Sequence, residues 1–192
     1  MTEARSSTSS VVREGSSQKR MPPLVPVFAL LLACLAAAVL FLPLEKQLVI
    51  ADYYSGSILL CLPLSDGEEF SIRFLHSVNL SDVTDRIARQ GDLLVCRATL
   101  FTAYGAGIPD LSDGIGTEFS KTEEGFLLSG IDKAQREIPI LLQEVPNHRL
   151  LYRGREINLL SRFSSGTLIV LRMQRVSLWN RLTHSPLILG WR

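Results

Sequence analysis

The dipeptide His76-Ser77 sets an imidazole beside a hydroxyl, the pairing a hydrolase uses to activate a nucleophile, with Asp82, Asp85 or Asp110 as the acid that would orient the ring. The spacing works against this chemistry. Neighbours on an extended strand point to opposite faces, so His76 is poorly placed to deprotonate Ser77, and the chain has no G-x-S-x-G elbow. The three histidines, His76, His148 and His184, show neither H-x-H nor H-E-x-x-H spacing. A metal would have to be gathered from separate strands, with Asp110 or Asp113 completing the set. A lone inward histidine is more often a hydrogen-bonded core residue, and no cofactor motif accompanies these three.

A different chemistry is suggested by Tyr104-Gly105-Ala106-Gly107-Ile108-Pro109, inside a connection (103–117) that contains four glycines and a proline. The G-x-G pair lacks the third glycine, the following helix and the parallel βαβ unit of a dinucleotide fingerprint. It fits a tight turn that exposes several N–H groups, a nest for an anionic group. Structural use of the same glycines is the competing reading. Asn147-His148 adds an amide and a second imidazole. His76, Ser77, Tyr104, Gly105, Gly107, Asp110, Asn147 and His148 are therefore the candidate binding residues, suited to a carboxylate or a partner's loop.

Strands must position them. Short apolar runs separated by glycine-containing turns predict strands over 47–52, 57–62, 69–76, 93–102, 126–130, 138–143, 148–152, 156–160 and 167–174. Nine short strands with no long amphipathic helix predict an all-β domain, an antiparallel sandwich or open barrel. Residues 83–89 fit either one helical turn or a further strand. Alternation at Phe70, Ile72, Phe74 and His76 places His76 on the buried face and Arg73 on the opposite one, while His148, Leu150 and Tyr152 share a face. Cys61 and Cys96 lie in apolar strand patterns, where lone thiols behave as small hydrophobes; in an exported domain they are also a candidate disulfide.

Of 192 residues, 46% are hydrophobic, and the excess is concentrated in 21–44, which holds no charged side chain. The run from Leu24 to Leu42 is long enough as a helix to span a hydrocarbon core of about 30 Å. The Ser-rich tail 1–20 ends in Lys19-Arg20, which by the positive-inside bias keeps it cytoplasmic. An uncleaved anchor is the reading adopted; a cleaved signal peptide and a lipoprotein signal at Cys34 are its rivals, each of which would leave apolar residues at the new N-terminus. The domain is thereby placed outside the inner membrane, periplasmic or extracellular. The divisions are 1–20 (tail), 21–44 (transmembrane anchor), 45–176 (exported β-domain) and 177–192 (C-terminal extension).

Without residues 1–44 the chain loses four of its 20 basic and two of its 19 acidic side chains, leaving a near-neutral domain with no footprint for phosphate backbones, so nucleic-acid binding is excluded. The extension mixes Trp179 and Trp191 with Arg181 and Arg192 among Leu and Ile, a composition suited to a membrane interface or to a last element packed on the domain.

The segments 70–78 (FSIRFLHSV), 101–109 (FTAYGAGIP) and 146–148 (PNH) together resemble domain-of-unknown-function family eighteen-fifty, over roughly 49–176. The resemblance carries over to His76, Ser77, Val78, Tyr104, Gly105, Ala106, Gly107, Pro109, Asn147 and His148. It departs after His-Ser-Val, where an acidic residue and then a proline are usual and Asn79, Leu80, Ser81 and Asp82 stand here. Members of that family are commonly encoded beside tripartite ATP-independent periplasmic transporters of the TAXI type. The resemblance therefore implies an accessory role in solute uptake, with a transporter's membrane subunits or solute-binding protein as partner. A non-enzymatic binding or assembly module is the expected function. A metal-assisted or acid–base enzyme using His76, His148 and Asp110 is the alternative.

Overall fold

The computed structural model describes residues 24–103, 105 and 114–185. It divides into two compact units, Met1–Ala37 and Ala38–Arg192. Helix α1 (Leu24–Phe41) begins in the first. Its 18 residues carry no charge and none of its side chains is buried, so by length and composition it is able to cross a membrane.

The described residues of the second unit are mostly β-strand. In chain order its strands are β1 (Pro43–Asp52), β2 (Ile58–Leu62), β3 (Glu69–Leu75), β4 (Asp82–Gln90), β5 (Leu93–Phe101), β6 (Glu118–Thr122), β7 (Gly125–Gln135), β8 (Glu137–Leu141), β9 (Arg149–Tyr152), β10 (Arg155–Asn158) and β11 (Leu168–Ser177). A 3-10 turn, Leu159–Ser161, follows β10, and helix α2 (Leu178–Thr183) follows β11. Two antiparallel sheets result, one ordered β2-β1-β11-β8 and the other β10-β9-β3-β4-β5-β7-β6. β1 pairs with β11 along its whole length, from Pro43 opposite Ser177 to Asp52 opposite Ile169, so the first and last strands close one sheet.

Alternation then builds the core between the layers. Leu48, Ile50, Leu62, Ile169 and Leu171 from the smaller sheet meet Phe70, Ile72, Ile87, Leu94 and Leu150 from the larger, all of them buried. Burying side chains of this size contributes roughly 1.5–3 kcal/mol each. At the far end of the larger sheet a second apolar group forms from Val83, Phe101 and Leu128, with Phe74 and Phe119 packed on it.

The predicted sandwich is the observed fold, with eleven strands among the described residues rather than nine. β4 fills the segment 83–89 that fits two readings by sequence. Its inner-face positions, paired with Phe74, Ile72 and Phe70, are Val83, Asp85 and Ile87, and the acid in the middle interrupts the apolar alternation. Asp85 is held by a hydrogen bond from the Thr99 hydroxyl at 2.7 Å, and burial pushes its carboxyl above the usual range. β6 is a sheet edge with Phe119 as its one large apolar residue. Cys61 and Cys96 are free thiols; burial pushes Cys61 up to about 11, so it acts as a small core hydrophobe.

The β9–β10 turn shows local chemistry at its simplest. Arg153 and Gly154 have φ of 50° and 72°, the left-handed pair of a two-residue hairpin. The strained arginine is held by a two-pronged bond to Glu68, at 2.6 and 3.0 Å, which holds that carboxyl down at about 2.

Candidate functional site

The candidate site lies where β3 ends. The chain turns over residues 76–81 into β4, and backbone bonds fix that turn: the His76 N–H donates to the Ser81 carbonyl and the Leu80 N–H to the His76 carbonyl, both at 2.9 Å. His76 is not a strand residue. Its ring lies against its own turn, where Nδ1 accepts the Asn79 N–H at 3.3 Å, so the imidazole caps a backbone donor. The expectation that His76 continues the inner face of β3 is corrected for that reason. Ser77 is exposed on the turn. Leu80 adopts φ 48°, a left-handed conformation that costs a residue with a Cβ of order 1–3 kcal/mol, and its side chain and that of Val78 stand in solvent, 69% and 68% exposed.

Two other segments meet this turn. The β8–β9 connection is tied to it by the Leu75 N–H, which donates to the Pro146 carbonyl at 2.8 Å. Asn147 follows with φ 46°, a conformation asparagine tolerates better than most, and its N–H donates to the Gln143 carbonyl at 3.1 Å. His148 packs its ring on Phe74, centroids 5.5 Å apart, and its carbonyl accepts the Leu159 N–H at 2.9 Å. Its Nδ1 is buried without a hydrogen-bond partner among the described residues. Burial also pushes its pKa down, keeping the ring neutral. Gly105 also lies against this turn: a Cβ there would be 2.8 Å from the Asn79 Oδ1, so a larger residue would require the Asn79 side chain to move. Tyr104, Gly107 and Asp110 lie outside the described residues. Of the sequence candidates, the structure thus brings His76, Ser77, Gly105, Asn147 and His148 to one end of the domain.

Beside the turn, where the end of β3 and the start of β4 face the β8–β9 connection, is a cavity of about 230 Å³, lined by Arg73, Leu75, Asp82, Glu144, Asn147 and Arg149 among others. Among the described candidates Asn147 alone is on its wall; Arg73 and Arg149 are not candidates by sequence, since alternation turns them away from the core. Arg73 and Arg149 are cross-strand partners on β3 and β9, and like charges placed opposite one another are unfavourable. Glu156 relieves the repulsion by reaching both, at 3.5 and 2.9 Å. The Arg73 Nε also donates to the Thr84 hydroxyl, at 3.4 Å. The signal for this pair exists only in the register of β3 against β9. The cavity wall thus carries two guanidinium groups that share Glu156, the Asn147 amide and the Asp82 and Glu144 carboxylates. Among the described residues no group of three or more His, Cys, Asp or Glu side chains is placed to hold a metal ion.

No curated protein and no solved structure matches the chain. Over residues 70–159, which run from β3 into the 3-10 turn and contain the 76–81 turn, the glycine loop and Asn147-His148, the chain is similar to the family described as "Domain of unknown function (DUF1850)".

Proposed function

We propose that the β-domain is a binding module, tethered outside the inner membrane by α1 with its N-terminus in the cytoplasm, and that its partner is a membrane subunit or the solute-binding protein of a solute-uptake transporter. The observation that carries this reading is the cavity beside the 76–81 turn. Its guanidinium and amide groups suit a carboxylate on a partner's loop, and Val78, Leu80 and Val145, all more than half exposed, lie on the two segments that border it. Apolar side chains held in solvent beside fixed polar groups are what a protein partner covers. The anchor reading is supported by α1 and by Lys19-Arg20 before it. The transporter as partner is supported by the family resemblance of the three motifs.

The test is recovery of partners on the tagged full chain from detergent-solubilised membranes. Co-purification of a transporter component is expected, and its loss with Arg149→Glu and with Asn147→Gly, which keeps the left-handed backbone and removes only the amide. Recovery of no transporter component, together with unchanged solute uptake in a deletion strain, would contradict the proposal.

A further inference from the structure

The exposed apolar side chains of the second unit include a group away from the cavity, where the chain leaves α1. Phe41, Leu42 and Leu44 are 59%, 51% and 60% exposed, and Trp179 and Leu182 of α2 are 49% and 48% exposed. The Trp179 ring lies 6.0 Å from the Phe41 ring, so the two sets are adjacent. α2 is no fraying tail. Ser177, buried, caps it by accepting the Asn180 N–H at 3.2 Å, and the His184 carbonyl accepts the Cys61 N–H of β2 at 2.9 Å. Trp179 and Leu182 stand three residues apart and therefore share the outward face of a helix that is fastened in place.

Covalent continuity determines what meets this face. Phe41 is the last residue of α1, and β1 begins two residues later at Pro43. Eighteen residues at 1.5 Å each reach about 27 Å, close to the thickness of a hydrocarbon core, so a spanning α1 ends Phe41 at the boundary between acyl chains and headgroups. Tryptophan is enriched at that depth, with the ring in the apolar region and the indole N–H in the wet one. Arg181 is paired with Glu45. Arg175 gives one N–H to the Leu44 carbonyl at 3.2 Å and is otherwise exposed, level with the patch. A cavity of about 160 Å³, walled by Val39, Leu44, Val176 and Leu178, opens beside it.

We infer that α2 and the residues joining α1 to β1 form a membrane-seated foot, in which Trp179, Leu182, Phe41 and Leu44 enter the headgroup region of the bilayer that α1 crosses. This rests on the anchor reading given above. With Arg181 paired with Glu45, apolar insertion supplies the attachment and the Arg175 charge only adds to it, so an uncharged lipid surface suffices.

The test uses the full chain carrying Trp191→Phe, which leaves Trp179 as the sole tryptophan, reconstituted into phosphatidylcholine vesicles. Lipids brominated near the glycerol should quench Trp179 emission, and iodide should quench it less than in denaturant. Moving the reporter one turn, by Trp179→Phe with Leu182→Trp, should give the same pattern. If the chain resists carbonate extraction while Trp179 ignores the bromines and stays open to iodide, the foot is wrong and the anchor stands. If carbonate releases the chain, the anchor reading fails and takes the foot with it.

Discussion

His148 shows how one side chain can serve the fold more than the chemistry. Its ring packs on Phe74, its carbonyl holds the 3-10 turn, and burial keeps it neutral. Phenylalanine reproduces the ring and removes the buried nitrogen that has no partner, so His148→Phe should change stability by less than about 1.5 kcal/mol and leave partner recovery intact. His148→Ala should lower the melting temperature, having lost the contact with Phe74. A folded His148→Phe protein that no longer holds its partner would show instead that the imidazole touches the ligand. Leu80 is the reverse case, an exposed apolar residue in a strained conformation. Leu80→Gly relieves the left-handed backbone, so the melting temperature should not fall, yet binding should weaken if this side chain meets the partner. A lowered melting temperature with binding unchanged would remove Leu80 from the site. Asn147 is legible in the sequence because it offers an amide at the start of a predicted strand and lies in the Pro-Asn-His segment that carries the resemblance. Arg73 and Arg149 are not, since a cross-strand pair exists only once β3 and β9 are in register.

At the scale of the element, β4 shows why the segment 83–89 fits two readings by sequence. Asp85 occupies an inward position between Val83 and Ile87, with the Thr99 hydroxyl as its partner. Because burial raises its pKa in the folded state, the folded protein binds that proton more tightly than the unfolded chain. The contribution of Asp85 to stability is therefore fully present only below the unfolded value near 3.8 and is lost as pH rises through the raised folded value. Asp85→Asn keeps a hydrogen-bonding partner for Thr99 and carries no charge. It should be at least as stable as the parent at pH 7, with the difference vanishing toward pH 4, measured by thermal melts across that range. A variant that is less stable at neutral pH would mean that the ionised carboxylate is favoured in place. Nine of the strands are legible by alternation, whereas β4 is ambiguous and β6 is not legible. An acid on the inner face of β4 breaks the period-two signal there, and β6, a short edge, has too few apolar residues to produce one.

At the scale of the molecule, sequence pattern was enough for a sandwich because alternation is local, whereas the closure of the smaller sheet by β1 and β11 depends on a pairing between the two ends of the domain that no local pattern records. The β3–β9 pairing and the bond from the Leu75 N–H to the Pro146 carbonyl bring the 76–81 turn and the β8–β9 connection to one end, with the cavity beside the turn. On the proposed function, this end of the domain and no other surface of it meets the transporter component. Site-specific photocrosslinking in intact cells tests it most directly, with a benzophenone side chain placed at Val145 on the cavity wall and, as a control, at Tyr54, an 83% exposed residue in the β1–β2 turn. A discrete adduct with a transporter component is expected from position 145 and none from position 54. Equal adducts from both positions, or an adduct from position 54 alone, would contradict it.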